Sequence, residues 1–447
     1  MNVTINNIAK ISNADLVFQG LTAIIGDNDK GKSTIGKVLY SIFHTFANLK
    51  EGFGDVQAGY VLESLNLRNT AYARRFFRPE WFLPDAVIDD NEFDRRFALH
   101  SRHGFFGQRY SVMGRSSVSE IVSSEREREL KDDIKLQIQK VRGISQAELL
   151  HDAIQADLNK YFKNQFLPNY SDANGVVSEV SITVKGRKIA AWWNSTDKVS
   201  VAEDVLHNDA WFIGTPLIMD VMGASIRSPS YSIADSINRD LILKLRRYRP
   251  GTNIAKRIAD AELSSVYELI EGYFVGEFSL GKEGELEVGI PGMQKPLNSA
   301  NLSMGIKMLA LLRLMIDTNL LKRKDVLILD EPENHLHPEL QVLFADVIVE
   351  LQRIYDLTVL VTTHSPYFLQ SLELSARKKR AEDGKGETLR VYQPTAADDL
   401  GRVKFDDVSD DTSSMYRKFA KTMRELELER MNVAELEKSS SGDGVKN

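Results

Sequence analysis

The 447-residue chain contains no cysteine, which removes disulfides, thiolate metal sites and cysteine nucleophiles together and fits a reducing compartment. It also lacks any long apolar run. The first residues, MNVTINNIAKISNADLVF, have neither a basic start nor an apolar signal core, so neither export nor membrane insertion is expected and a cytoplasmic location is. Excess positive charge is missing too. With 57 basic against 63 acidic side chains, net −6, the surface is not uniformly coated for nucleic acid, although local patches stay open. No internal repeat is found, which sets aside solenoids and propellers. What remains is an ordinary globular balance, 43% hydrophobic and 27% charged, enough for two or three compact units and too apolar for disorder throughout.

The pattern along the chain predicts an α/β fold in four stretches. Residues 1–60 read as strands (VTINNIAKI, ADLVFQ and the apolar run 21–25), then a Gly-rich turn, then a helix carrying Ile35, Val38, Leu39, Ile42, Phe43 and Phe46 at helical spacing. Residues 61–210 are charged and mainly helical, notably 118–162, with a hairpin in VSEVSITVKGRKIAAWW turning at Lys185 and Gly186. Sustained heptads are absent there, which excludes a long coiled-coil arm. Residues 211–400 hold strand-like sequence at 210–218, a hairpin in EFSLGKEGELEVGI, a helix at 305–318, and two buried strands at 325–329 and 358–363. Continuous branched runs of that kind suit central parallel strands covered on both faces. Residues 401–447 hold an amphipathic helix at 413–438, with Met415, Tyr416, Phe419, Met423 and Leu426 on one side, and a tail, SSSGDGVKN, expected to be disordered.

Gly26-Asp27-Asn28-Asp29-Lys30-Gly31-Lys32-Ser33-Thr34 matches the phosphate-binding pattern GxxxxGK[ST] in its required setting, after an apolar strand and before a helix. Gly26 and Gly31 allow the tight curl that aims backbone N–H groups, Asn28 and Thr34 included, and a helix N-terminus at phosphate oxygens. Lys32 is expected to neutralise β/γ oxygens and Ser33 to place its hydroxyl on Mg²⁺. A second apolar strand, VLIL, ends in Asp330-Glu331-Pro332. Alternation along a strand predicts the two carboxylates on opposite faces, Asp330 toward Mg²⁺ and Glu331 as general base for the attacking water. Alone, such a pair is as often a solvated loop; together with the phosphate turn it points to ATP. His335 and His337 invite a metal reading, but no third ligand stands nearby, and a loop across a subunit interface is the better expectation.

Two further segments carry a resemblance. Asn301-Leu302-Ser303-Met304-Gly305-Ile306 precedes an apolar helix 27 residues ahead of Asp330, and resembles the signature sequence of ABC-type ATPases, with Met304 in place of a glycine and Ile306 in place of the glutamine. Taken alone, Ser303 before a helix is simply an N-cap. Thr362-Thr363-His364-Ser365-Pro366 resembles the switch-histidine loop of the same family. The resemblance implies a P-loop NTPase head with an inserted mainly helical region and a C-terminal helix, covers residues 1–60 and 211–400, and leaves the family's Mg²⁺-ligating glutamine without a counterpart. It implies that Ser303 and Gly305 contact the γ-phosphate of ATP held by a second copy, and that His364 senses that phosphate. DEPENHLHP and TTHSP resemble the OLD-like, PtuA/AriA-type ATPases of bacterial anti-phage systems more than transporter subunits.

Several expectations follow from that resemblance. The active form is a head-to-tail dimer or higher even oligomer around ATP and Mg²⁺. It restrains a separate effector, a nuclease or toxin, because the residues after His364 are too few for the nuclease domain that full OLD proteins carry. A RecF- or SMC-like ATPase acting directly on DNA is the alternative, and a transporter subunit is a weaker third. The candidate DNA contact is the stretch from Arg95 to Arg115, RRFALHSRHGFFGQRYSVMGR, in which five arginines are interspersed with four aromatics and no acid occurs. The run 377–380, RKKR, is followed by Glu382 and Asp383 and reads as a solvated loop.

Overall fold

The computed structural model describes residues 1–65, 75–83, 85–101, 117–168, 176–194, 208–222, 235–246, 263–281, 285–334, 336–384 and 389–442. In chain order its strands are β1 (Asn2–Ile8), β2 (Ile11–Val17), β3 (Leu21–Ile25), β4 (Glu179–Val184), β5 (Arg187–Trp193), β6 (Ala210–Ile213), β7 (Glu277–Leu280), β8 (Leu286–Gly289), β9 (Leu297–Asn298), β10 (Val326–Asp330), β11 (Thr358–Thr363), β12 (Arg390–Ala396) and β13 (Val403–Asp407). The helices are α1 (Lys32–Ala47), α2 (Leu49–Ser64), α3 (Asp90–Ser101), α4 (Ser117–Val141), α5 (Gln146–Phe162), α6 (Ile218–Val221), α7 (Ser236–Arg246), α8 (Ser264–Tyr273), α9 (Met304–Asp317), α10 (Pro338–Tyr355), α11 (Pro366–Asp383) and α12 (Ser413–Gly442). The chain divides into two compact units, one of Met1–Tyr40, Leu167–Val176 and Asn208–Asn447, the other of Ser41–Phe166 and Val177–His207.

The first unit is built on a mixed sheet in the order β1-β2-β13-β12-β3-β11-β10-β6. Strands β12, β3, β11, β10 and β6 run parallel, and β1–β2 and β12–β13 are antiparallel. The central strands are apolar along their whole length because both faces are covered: every residue of β3 is buried, as are all but one in β10 and in β11. Leu327, Leu329, Val359 and Val361 join a cluster with Leu309, Leu312, Met315, Phe344, Ile348 and Phe368 from α9, α10 and α11. On the opposite face lies α1. Gly36 makes that approach possible, since a Cβ there would sit 3.0 Å from Ile328 and 3.1 Å from Phe212.

The second unit has its own core, in which Phe76 packs edge-on against Phe77, Trp81, Phe93 and Phe97, and these rings with Phe82 cluster with Leu130, Ile134 and Ile138 of α4. The helical pattern over 118–162 breaks into two helices, because Ser145 and Glu148 form a reciprocal capping box that starts α5 afresh. The hairpin β4–β5 turns at Lys185 and Gly186, both with positive φ, 50° and 78°, as a tight two-residue hairpin requires.

Two readings need correction. Residues 377–380 are not loop: they lie on α11, where Lys379 pairs with Glu382 one turn on and with the buried Glu350 of α10, so Glu382, taken as a sign of solvation, is a helix-stabilising partner. The tail is not unstructured from Ser439, since α12 runs on to Gly442; a long helix already nucleated adds further residues at little cost. No helix among the described residues is long and apolar enough to cross a membrane.

Candidate functional site

The carboxyl ends of β3, β10 and β11 deliver three loops to one edge of the first unit, the place where open parallel sheets leave a crevice. The first is the phosphate turn. Gly26, Asp29 and Gly31 adopt φ of 141°, 61° and 76°, which wraps the loop around the amine of Lys32. That amine is almost fully buried and donates to the carbonyls of Gly26 at 2.9 Å and Asp27 at 2.8 Å. Asp29 is held at the exposed tip by Lys10, and Asn28 lies exposed beside it. The amides of Thr34 and Ile35 donate to Gly31 O at 3.2 and 3.4 Å, which starts α1 at the loop's end. Gly26 cannot gain a side chain, since its positive φ is joined by Pro394 of β12 only 3.0 Å from a Cβ.

The second loop follows β10. Asp330 closes the strand opposite Thr362 of β11, and the Thr362 hydroxyl donates to Asp330 Oδ1 at 2.6 Å while accepting from the backbone N–H of Glu331 at 3.0 Å. Glu331 is already off the strand, with φ of 49°. The separation of the two acids therefore comes from a left-handed residue, not from strand alternation as the sequence suggests. For a side chain with a Cβ that conformation costs on the order of 1 kcal/mol, and it is held by the Glu331 N–H, which donates to both Thr362 O and Thr362 Oγ1.

This backbone turn carries the Glu331 carboxylate to Lys32, whose Nζ lies 3.2 Å from Oε1, while the Asn334 amide donates to Oε2 at 3.0 Å. Burial alone would raise the Glu331 pKa, but the Asn334 hydrogen bond and the Lys32 charge outweigh it and hold the group below the ordinary glutamate range. Asp330 goes the other way: burial pushes it up, against the hydroxyls of Thr362 and Ser33. The two adjacent acids thus differ in character. One is held ionised, and the other is an oxygen donor beside a second oxygen donor, Ser33, which is the chemistry that a hard divalent cation prefers.

The third loop follows β11. His364 is half exposed, its Nδ1 3.7 Å from Glu331 Oε1 and 3.5 Å from Glu333 Oε1. Its backbone N–H donates to Glu333 Oε1 at 3.0 Å, and the Thr363 hydroxyl donates to the same oxygen at 2.6 Å. Glu333 is buried, its pKa raised by that burial, and its other oxygen has no partner among the described residues. Ser365 caps α11 and donates to Gln341, whose amide donates to Leu336 O. Glu333, Thr362, Thr363 and Gln341 therefore fix where Glu331 and His364 stand. Sequence reading passed over all four. Their signal was present, since each lies in or just after the two quoted segments, but only strand pairing shows that they meet.

Ser303 and Gly305 form a separate locus at the start of α9. Ser303 is exposed and caps the helix, accepting from Ile306 N at 3.4 Å. Gly305 is buried, and a Cβ there would fall 2.1 Å from Leu340 Cδ2 and 3.3 Å from Leu336. Its lack of a side chain thus has a packing reason inside this chain, the close seat of α9 against the first turn of α10 and the loop before it. Among the described residues no hydrogen bond or ion pair joins Ser303 or Gly305 to Lys32, Ser33, Asp330, Glu331 or His364. His335 lies outside the described residues, as does most of the basic stretch ending at Arg115. No group of three metal-ligating side chains of the His/Cys/Asp/Glu type occurs among those described.

None of the curated proteins matches the sequence. Solved structures similar to it include an Smc head bound to the C-terminal winged-helix domain of ScpA (12% identity over 92% of this chain and 98% of that one, TM-score 0.39) and the SMC head domain from Thermotoga maritima (13% over 91% and 98%, TM-score 0.37). An Smc head domain with an extended coiled coil, bound to the C-terminal domain of ScpA from Pyrococcus furiosus, is similar at 12% over 96% and 98%, TM-score 0.36. Superpositions this loose leave the assignment to the family model, which matches residues 21–370 and so takes in the phosphate turn, the Ser303 segment, the acid pair and His364. On that match the chain belongs to the family described as AAA domain, putative AbiEii toxin, Type IV TA system.

Proposed function

We propose that this chain is an ATPase that hydrolyses ATP between two copies of itself and uses the nucleotide state to control an effector in a bacterial conflict system. The observation that carries the catalytic part is the meeting of Lys32 and an ionised Glu331 at 3.2 Å, beside Asp330 and Ser33. When bound, ATP and Mg²⁺ supply a phosphoanhydride that water can cleave. The turn at Gly26, Asn28, Gly31 and Thr34 holds phosphate oxygens by its backbone, and Lys32 neutralises them. Ser33 and Asp330 hold the cation. Glu331 takes a proton from water at the oxygen now facing Lys32, the lysine having turned to phosphate, and His364 reads the terminal phosphate from the neighbouring loop.

In this reading Ser303 and Gly305 complete the site of a second copy, so that a dimer forms around ATP and loosens after hydrolysis. The exposed position of Ser303 at a helix N-terminus supports that role. Membership of a family of putative toxins of type IV toxin–antitoxin systems supports a conflict system; a separate nuclease or toxin as the restrained partner rests on the sequence resemblance alone. ATP turnover and nucleotide retention test the core of the proposal. Lys32→Ala should lose binding, whereas Glu331→Gln should bind ATP and keep it, with turnover down by roughly 10² or more. Turnover at the native rate in both variants would overturn it.

A further inference from the structure

The long helix α12 differs from the rest of the first unit. Its root is seated: Tyr416 packs on the main core and its hydroxyl donates to Glu373 of α11 at 3.4 Å. Beyond that root the helix carries Met423, Leu426, Leu428, Met431 and Val433, each between 49% and 58% exposed. Five large apolar side chains exposed on so short a length are not the scattered singles of an ordinary surface. Three of them share a register. Met423, Leu426 and Val433, with Arg430 between the last two, follow one another at steps of three, four and three along the sequence, the spacing of a helix seam that pairs with another helix, while Leu428 and Met431 lie off it. At 30 residues the helix is about 45 Å long, more than its root contact occupies.

The charges beside this seam are segregated. From 413 to 424 there are Arg417, Lys418, Lys421 and Arg424 and no acid; from 425 to 442 there are Glu425, Glu427, Glu429, Glu435 and Glu437 against Arg430 and Lys438. A partner lying parallel in register would set base against base, acid against acid and Arg430 on Arg430. An antiparallel copy would set the basic half on the acidic half, place Met423 of one copy against Leu426 of the other, and keep Arg430 away from its own kind.

We propose that α12 is a self-association surface, on which a second copy of this chain pairs its own α12 in antiparallel register, independently of nucleotide. Sedimentation velocity on the full chain without nucleotide tests this, because ATP-driven pairing of heads then cannot contribute. The native chain should be dimeric at micromolar concentration. Met423→Glu with Leu426→Glu should weaken the dimer by roughly tenfold or more, as should reversing Arg417, Lys421 and Arg424 to Glu, or Glu425, Glu427 and Glu429 to Lys. All these positions are exposed, so the variants should keep native helix content by circular dichroism. Mixing the two charge-reversed chains should restore a dimer. Because the chain has no cysteine, an Ala420→Cys chain should cross-link to a Glu427→Cys chain and neither to itself. A nucleotide-free native monomer, a dimer indifferent to these changes, failure of the mixture, or cross-links only between identical positions would each overturn the proposal.

Discussion

Asp325, just before β10, is buried among three donors: Trp211 Nε1 and the N–H of Lys322 at 3.0 Å and the N–H of Asp209 at 3.1 Å. Beside it Asp209 pairs with Lys244 at 2.6 Å, and that amine lies over the Trp211 ring. At the other end of the same strand stand Asp330, Glu331 and Glu333. There a glutamate adopts a left-handed backbone, a lysine amine is buried against carbonyls, and Glu333 keeps an oxygen with no partner among the described residues. One end of the strand completes its polar groups and the other leaves one oxygen of the buried Glu333 carboxylate to spare. A buried group fully matched inside the chain is a structural device, whereas buried groups held short of full pairing are where a ligand can be matched.

The largest expected contrast comes from removing one acid at each end. Asp325→Ala strands the Trp211 N–H and two backbone donors, and should cost about 3 kcal/mol or more, read from urea unfolding followed by tryptophan fluorescence. Glu331→Gln should barely move that unfolding midpoint while lowering turnover by roughly 10² or more; equal losses of stability in the two variants would erase the distinction between the ends. Gly305→Ala comes next. Its Cβ collides with Leu340 at 2.1 Å, so about 1–3 kcal/mol should be lost, and Leu340→Val in the same chain should recover much of it. If turnover stays low after stability returns, Gly305 acts on the nucleotide as well as in packing.

A smaller effect is expected at Thr362. Thr362→Val keeps the shape and removes the hydroxyl that serves both Asp330 and Glu331, so stability should fall by about 1–2 kcal/mol and the Mg²⁺ needed for half-maximal turnover should rise by roughly 10-fold. An unchanged Mg²⁺ requirement would show that the threonine supports the strand pair only. The smallest effect is on pH dependence, and its sign should differ between the two ends. Burial raises the Asp325 pKa above the ordinary 3.8, so its contribution to stability is best below that value and declines as pH rises through the folded pKa. Glu331 is lowered from 4.5, so its contribution is present above that value and is lost as pH falls through the folded pKa. Comparing stability against pH for the native chain with Asp325→Asn and with Glu331→Gln should show opposite slopes; slopes of one sign would remove this part of the contrast.

Much of the fold was legible in local pattern. The three N-terminal strands, the hairpin at Lys185 and Gly186, the hairpin β7–β8, helix α9 and strands β10 and β11 all follow from periodicity and turn residues, which act over a few neighbours. Strands β12 and β13 were not singled out, because they are half polar rather than continuously apolar, and only β3 and β2 beside them give them a place in the sheet. The acid pair was legible, but the reason for its geometry was not. Strand alternation suggested opposite faces, whereas Thr362, on a different strand, holds Glu331 in a turned backbone.

The sequence by itself determined the chemistry available: the phosphate turn around Lys32, the carboxylates after β10, the histidine after β11, and the absence of any thiol. These are local, since a loop's curl and a strand's end depend on residues near them in the chain. Tertiary structure alone decided which of them meet. The 3.2 Å approach of Lys32 to Glu331, the sharing of Thr362 by two acids, and the seating of Gly305 under Leu340 join residues far apart in sequence. Their distances are set by sheet register and helix packing, which no short stretch of sequence encodes.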